Sequence, residues 1–145
     1  MPKYDVKIRT IGGRRCIHDI LRDKYVALTP EEWVRQHFIH YLIDDLGYSR
    51  YLMGNEVALS LNGMSRRCDT VVYDRQLCPR MIIEYKAPSV AITQCVFDQI
   101  SRYNLVMHVD FLVVSNGLSH YCCQLDYDRQ NYCFLEAIPH GELLR

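Results

Sequence analysis

Apolar and polar residues alternate along several stretches of the chain, which predicts a sheet, and helical spacing predicts two helices packed against it. Residues 66–73 and 81–86 are rich in apolar and β-branched side chains and predict two strands. The polar connector at residues 74–80 contains Pro79 and predicts a hairpin that makes these strands neighbours. Further strands are predicted at residues 56–61, 111–115, 119–125 and 132–138.

Both predicted helices can be placed from local signals. Thr29 and Pro30 suit the N-cap and the first helical position, and the first helix is expected to end near Leu46, before Gly47. The second helix is expected over residues 90–107, where apolar residues recur every three or four positions. Together with the strands, these helices indicate an α/β fold with a mixed central sheet flanked by helices.

The length of the chain suits a single domain. Its 145 residues, 49% of them apolar, can bury one sizeable core. Residues 1–13 are expected to form an N-terminal arm with a short strand at residues 6–9. Residues 14–145 are expected to form the domain itself.

The strand period brings charged residues together. Glu84 and Lys86 are two positions apart, so their side chains point to the same face of the sheet. The hairpin would place Asp69 beside them at one end of the sheet. Carboxylate oxygens suit Mg²⁺, which polarises a scissile phosphate and lowers the pKa of an attacking water. The sequence therefore predicts a metal-dependent phosphodiesterase, in which Lys86 orients the water or stabilises negative charge on phosphorus.

A purely structural interpretation of the same residues is an ion pair. A Glu-x-Lys pair on a strand is common and usually lies solvated on the surface, where it contributes little stability. The apolar residues that lead into Glu84 instead favour a central strand. Charged residues in such a strand normally have a partner or a metal.

Gln99 and Tyr103 lie one turn apart on the second predicted helix and share a face. One interpretation is a core tyrosine with a polar neighbour. The other is an amide and a phenol presented to a phosphate or a nucleobase beside the metal.

Three short segments resemble the motifs of the PD-(D/E)xK nuclease superfamily: residues 67–69, 84–88 and 98–104. More narrowly, the chain resembles the N-terminal nuclease domain of the type I restriction enzyme R subunit and its stand-alone relatives. The similarity extends upstream over residues 17–36 and downstream over residues 111–117, and covers about residues 17–125. Cys68 precedes Asp69 where the literal motif has proline.

The resemblance implies a role for each matching residue. Asp69 and Glu84 would bind Mg²⁺, or Mn²⁺ in its place, and Lys86 would be the catalytic lysine. Gln99 and Tyr103 would form an accessory motif that contacts the substrate. The implied fold is of restriction-endonuclease type, and the implied activity is hydrolysis of DNA phosphodiester bonds.

Such sites usually include a glutamate from the first helix, and this chain offers Glu31 and Glu32. Helical spacing places Glu31 on the face that carries Val34 and Phe38. Glu31 is therefore the preferred third metal ligand. Glu32 is expected to be a surface carboxylate in the first turn, where the helix dipole favours it.

Charge does not by itself indicate a DNA-binding protein. The chain has 17 basic and 17 acidic residues, so no global field would steer it onto DNA. Positive charge is nevertheless concentrated locally, in arginine clusters at Arg14-Arg15 and Arg66-Arg67. Arg67 is the candidate phosphate contact, and an ordinary solvated arginine is the alternative.

Composition also bears on location and partners. The seven cysteines show no Cys-x-x-Cys pair and are expected to be reduced thiols in a cytoplasmic protein. No apolar stretch is long enough to span a bilayer, so no membrane partner is expected. The sequence has no nucleotide-binding Gly-xxxx-Gly-Lys-Ser/Thr loop, so a helicase or translocase of a restriction complex would be another chain.

Two function classes remain open on these grounds. The first is a metal-dependent DNA endonuclease or exonuclease that acts with a partner, and double-strand cutting would suit a homodimer. The alternative is a non-catalytic nucleic-acid-binding or assembly module that keeps the nuclease fold. Both DNA and RNA fit the residues alone.

Overall fold

A computed structural model describes residues 4–61, 63–105 and 108–144; the side chains of residues 59–61, 64, 66, 99 and 102–105 lie outside this description. Among the described residues, a small antiparallel sheet contains three strands: β1 (Ile8–Ile11), β2 (Arg14–Asp19) and β3 (Lys24–Ala27). A larger sheet contains six strands: β4 (Met53–Leu61), β5 (Met64–Tyr73), β6 (Pro79–Tyr85), β7 (Phe111–Ser115), β8 (His120–Asp126) and β9 (Asn131–Leu135). The helices are α1 (Pro30–Asp44) and α2 (Gln94–Leu105).

The large sheet is mixed, as the sequence predicts. Its strands follow chain order from β4 to β9, and all neighbours are antiparallel except β6 and β7. Parallel neighbours need a crossover connection, and α2 lies within it. The predicted hairpin between residues 66–73 and 81–86 is confirmed as the antiparallel β5–β6 pair.

The two helices cover opposite faces of this sheet. Val34 and Phe38 of α1 pack in one core cluster with Ile83, whereas Phe97 of α2 packs in the other cluster with Ile82. The opposite placement of Ile82 and Ile83 confirms the predicted strand alternation. Burial of both faces explains why β6 reads as an almost continuous apolar run.

The ends of α1 follow from the residues that cap it. The hydroxyl of Thr29 accepts a hydrogen bond from the backbone N–H of Glu32, and Pro30 occupies the first helical position. Gly47 follows with φ of 72°, a conformation that suits glycine. The helix itself ends at Asp44, two residues before the predicted Leu46.

The small sheet was not predicted beyond a strand at residues 6–9. That strand lies at Ile8–Ile11 and pairs with Arg14–Asp19 across the expected arm boundary at residue 13. Ile17 of β2 is fully buried, and Ile20 and Leu21 pack on the core cluster that contains α1. This sheet therefore covers a second side of α1.

Other boundaries differ by a few residues. β7 has the predicted bounds, whereas α2 begins at Gln94 instead of residue 90 because Thr93 caps it through a hydrogen bond from the N–H of Val96. Between the predicted strands at residues 56–61 and 66–73, the pair Asn62-Gly63 predicts a hairpin turn, and Asn62 lies outside the described residues. None of the described helices is long and apolar enough to cross a membrane.

Candidate active site

A polar cleft of about 400 Å³ lies where α1 begins and where strands β4, β5 and β6 meet. Its lining residues include four predicted site residues, Glu31, Asp69, Glu84 and Lys86, and also Thr29, Glu32, Arg35, Glu56 and Tyr85. The cleft therefore brings together Asp69, Glu84 and Lys86 as predicted.

Asp69 and Glu84 come from neighbouring strands. They lie one position beyond the Thr70–Ile83 pair of the β5–β6 ladder, on the side that opens to the cleft. The Oδ2 atom of Asp69 accepts a hydrogen bond of 3.0 Å from the backbone N–H of Tyr85, which fixes its carboxylate relative to β6. Glu84 is only 9% exposed. The two carboxylates are thus held by the strand pairing rather than by a flexible loop.

Lys86 follows β6 directly. Its backbone N–H donates a 2.9 Å hydrogen bond to the carbonyl of Ser115 at the end of β7. Its side chain lines the cleft and is partly exposed. The backbone bond extends the β6–β7 pairing by one residue and so fixes the backbone of Lys86 at the cleft that Glu84 and Asp69 also line.

Arg35 on α1, which the sequence did not single out, links two acidic residues of the cleft. Its guanidinium donates to both carboxylate oxygens of Glu32, at 2.8 and 2.7 Å. Its Nη1 lies 2.9 Å from Oε1 of Glu56 and donates at 2.9 Å to the backbone carbonyl of Asp69. Burial lowers the pKa of Arg35, but the hydrogen bonds and charges of Glu32 and Glu56 outweigh it and hold the pKa above its ordinary value.

Glu56 reaches Arg35 through an unusual backbone conformation. The β4–β5 ladder pairs Asn55 with Thr70 and Val57 with Cys68, and Glu56 between them has φ of 54°. For a residue other than glycine, this conformation costs about 1 kcal/mol, and strained residues of this kind cluster at functional sites. The prediction from sequence placed Glu56 in an ordinary strand, and no local pattern marks the departure.

The prediction about which helix glutamate is buried is wrong. Glu31 is exposed, whereas Glu32 is only 6% exposed and also accepts a hydrogen bond from Gln36. The reason is the small sheet, which covers this side of α1 and brings the guanidinium of Arg22 to 3.8 Å from Glu32. Both glutamates line the cleft, and the assignment of Glu31 as a metal ligand stays a prediction.

A buried chain of hydrogen bonds supports Tyr85, the residue between Glu84 and Lys86. The Tyr85 hydroxyl donates to Thr70, the Thr70 hydroxyl donates to Asn55, and the Asn55 amide donates to both carboxylate oxygens of Asp19, over distances of 2.7 to 3.1 Å. Burial raises the pKa of Tyr85, so its hydroxyl stays a neutral donor. The chain connects β6 through β5 and β4 to the small sheet.

The structure describes the three predicted substrate contacts to different extents. Arg67 has a side chain that is 71% exposed, with its Nε atom 3.9 Å from the Glu56 carboxylate at the edge of the cleft. Gln99 and Tyr103 lie in α2, on the sheet face that carries Ile82. Their side chains lie outside the described residues. Substrate binding by all three stays a prediction.

The cleft is not a complete cage for a metal ion. Within the part of the chain that the structure describes, no three His, Cys, Asp or Glu side chains are grouped to hold one. Asp69 and Glu84 still offer hard oxygen donors on adjacent strands. Mg²⁺ needs only one or two protein carboxylates when water and substrate phosphate complete its coordination.

Comparison with solved structures identifies a similar fold. The fragment structure of a putative HsdR subunit of a type I restriction enzyme from Vibrio vulnificus YJ016 has a TM-score of 0.58 and 18% sequence identity. The comparison covers 81% of this chain and 24% of that one, so this chain spans about a quarter of its length. Identity at this level supports a shared fold. No curated protein sequence matches.

A family model gives the more direct assignment. It matches residues 30–139, which include α1, α2 and the whole six-stranded sheet. The family match begins at residue 30, after the small sheet, whereas the resemblance found in the sequence begins at residue 17. The match ends at residue 139, and the resemblance ends at about residue 125. Because it covers most of the chain, this protein belongs to the family described as the type I restriction enzyme R protein N terminus (HSDR_N).

Proposed function

We propose that the protein is a metal-dependent DNA nuclease of the PD-(D/E)xK type, which acts in a restriction complex. The observation that carries this proposal is the convergence of Asp69, Glu84 and Lys86 on one cleft. Two carboxylates and an ammonium on rigid strands are the groups that phosphodiester hydrolysis needs. Family membership agrees with a restriction function.

The donor chemistry of the cleft fits Mg²⁺, with Mn²⁺ as a substitute. Asp69 lines the cleft, and its Oδ2 atom accepts a hydrogen bond from the N–H of Tyr85, which holds the carboxylate in place. Asp69 and Glu84 would hold the ion, and Glu31 at the rim is the third candidate ligand. When bound, Mg²⁺ polarises the scissile phosphate and lowers the pKa of a coordinated water.

The residues around the ion have separate roles. Lys86 orients the attacking water or stabilises the charge that develops on phosphorus. Arg35 fixes the backbone of Asp69 and forms ion pairs with Glu32 and Glu56. Tyr85 anchors the strand between Glu84 and Lys86 through Thr70. Gln99 and Tyr103 are candidates to contact the substrate from α2.

Partners follow from the family. A type I restriction assembly needs a DNA-translocating motor, and such a motor would come from another domain or subunit. Sequence-specific DNA recognition would come from there too, so the domain itself would cut with low specificity. A homodimer is the arrangement we propose for double-strand cutting.

A cleavage assay tests the proposal. Mg²⁺ and then Mn²⁺ are titrated into wild type, Asp69→Asn, Glu84→Gln and Lys86→Ala while cleavage of single- and double-stranded DNA is followed. Metal-dependent cutting should fall by about a hundredfold or more in each variant, because each loses a group that acts on the reacting phosphate. Asp128→Asn is the matched control, since Asp128 is exposed in the β8–β9 turn.

The second candidate function is a DNA-binding or assembly module without catalysis. It is favoured by the ion pairs of Arg35 with Glu32 and Glu56, which offset part of the negative charge of the cleft without a metal ion. Cleavage by wild type that Lys86→Ala abolishes rules this candidate out. DNA binding that needs no metal, with no cutting by wild type in the presence of its partner subunits, would support it.

A further inference from the structure

The small sheet concentrates positive charge in a chain that is neutral overall. Between residues 7 and 28 the sequence has six basic and two acidic residues, against 17 of each in the whole chain. Both acidic residues are engaged: Asp19 is buried and bonded to Arg22 and Asn55, and Asp23 lies 2.9 Å from the ring of His18. The exposed charged side chains of this sheet are therefore mostly basic.

Most of these cations lie on a projecting β1–β2 hairpin. Every residue from 7 to 15 is exposed, although the two strands are paired from Ile8–Ile17 to Ile11–Arg14. Gly12 and Gly13 close the turn with φ of 58° and 80°, the conformation of a tight two-residue hairpin. The hairpin is thus an ordered ribbon that presents Lys7, Arg9, Arg14 and Arg15 to solvent.

One face of the ribbon combines cations with an aromatic ring. Arg9 pairs with Cys16, and Ile11 with Arg14, so Arg9 and Arg14 share the face opposite the buried Ile17. The guanidinium of Arg9 lies 4.6 Å from the centre of the Tyr25 ring. Arginine beside an aromatic side chain is a combination that suits phosphate and base contacts in nucleic acids.

The turn end of the hairpin lies beside the rim of the active-site cleft. The N–H of Leu28 donates a 3.0 Å hydrogen bond to the carbonyl of Arg15, the second residue after the Gly12-Gly13 turn. The next residue, Thr29, lines the cleft and caps α1. A nucleic acid with a phosphate near Asp69 and Glu84 would pass this rim as it leaves the cleft.

We propose that the outward face of the β1–β2 hairpin, formed by Lys7, Arg9 and Arg14, binds the phosphate backbone of duplex DNA next to the cleft. This inference rests on the proposed function for the identity of the duplex. Neutralisation of phosphate provides much of the affinity of a protein for DNA. The hairpin face supplies the local positive charge that this needs in a chain that is neutral overall. The contact positions the duplex and carries no sequence information.

Binding of a short fluorescein-labelled DNA duplex, measured by anisotropy in EDTA at several salt concentrations, tests this surface without cleavage. Arg9→Gln/Arg14→Gln should bind roughly tenfold more weakly at low salt. The slope of log affinity against log salt should fall by about 0.9 for each phosphate that the variant no longer neutralises. Arg9→Lys/Arg14→Lys should keep most of the affinity because it keeps the charge.

The matched control is Arg75→Gln/Arg129→Gln, which removes the same charge from two exposed turns. It should bind as wild type does, and an unchanged thermal midpoint in every variant shows that the fold is intact. Equal binding by the hairpin variant and wild type, an equal loss in the control, or no binding by wild type would each overturn the proposal.

The same experiment separates this inference from the proposed function. Hairpin-dependent binding by a wild-type protein that never cleaves with Mg²⁺ or Mn²⁺, even with its partner subunits, would leave the surface standing and overturn the nuclease. Metal-dependent cleavage by wild type, together with unaltered binding by Arg9→Gln/Arg14→Gln, would overturn the surface alone.

Discussion

Arg35 organises the cleft at the scale of single residues. Its guanidinium meets the carboxylates of Glu32 and Glu56 and the backbone carbonyl of Asp69, and it is only 8% exposed. A buried arginine of this kind serves mainly to keep buried acids paired, because an unpaired buried charge is strongly unfavourable. Its removal should therefore disturb folding and the geometry of Asp69 together.

Arg35→Met should lower the free energy of unfolding by about 3 kcal/mol, since it leaves Glu32 buried without its main partner. Glu32→Gln/Arg35→Met should recover part of this loss because the remaining buried group is neutral. Urea denaturation measures both. Arg129→Met, at an arginine whose side chain is 81% exposed, should change stability by less than about 1 kcal/mol. A loss of similar size in Arg35→Met and Arg129→Met would contradict this role for Arg35.

At the scale of elements, the small sheet is tied to the large one through Asp19. Its carboxylate accepts hydrogen bonds from the backbone of Leu21 and Arg22 and from the side chain of Asn55 on β4. From Asn55 the hydrogen bonds continue through Thr70 to Tyr85, next to the catalytic lysine candidate. Strand β2 thus supports the position of β6 although the two strands do not pair.

This contact should make stability depend on pH in the acidic range. Burial alone would raise the pKa of Asp19, but the hydrogen bonds from Arg22 and Asn55 outweigh it and lower the pKa below the ordinary value of 3.8. Because the folded pKa is the lower one, the stabilisation is complete above pH 3.8 and is lost as the pH falls through the folded pKa.

Asp19→Asn should therefore be less stable than wild type at neutral pH, by about 2 kcal/mol. The difference should shrink as the pH falls below 3.8. Urea denaturation of both proteins from neutral pH down to the acid limit of folding measures it. A difference that stays constant over the whole range would show that Asp19 does not act through its charge.

Local signals in the sequence were enough to predict several of these elements and their arrangement. Strand alternation and the Pro79-containing connector were enough to bring Asp69 beside Glu84, and Thr29, Pro30 and Gly47 were enough to place α1 within two residues. These are local signals, carried by residues close in the chain. The α/β fold with a mixed sheet followed from them and from the resemblance to nucleases.

The parts that the sequence did not reveal depend on contacts between distant residues. Glu32 is buried because Arg22 and the small sheet cover α1, and no periodicity within α1 reports that. Glu56 enters the cleft through a left-handed backbone and a contact with Arg35, 21 positions away. The strands of the small sheet are only four to six residues long, too short for a clear periodicity, so the Gly12-Gly13 turn is its clearest local signal.

At the scale of the whole molecule, acidic and basic side chains are concentrated on different surfaces. The cleft is lined by Glu31, Glu32, Glu56, Asp69 and Glu84, with Arg35 and Lys86 among them. The projecting hairpin beside it is basic. A nucleic-acid backbone can be held by the hairpin while the acids of the cleft take a cation, so an overall charge of zero is compatible with a nuclease.

If Asp69 and Glu84 form one cation site, calorimetric titration with Mn²⁺ should detect it. Wild type should bind Mn²⁺, and Asp69→Asn and Glu84→Gln should each bind at least about tenfold more weakly because each loses an oxygen ligand. Asp128→Asn should bind as wild type does. Equal Mn²⁺ affinity in all four proteins, or no binding by wild type, would contradict a cation site formed by these two residues.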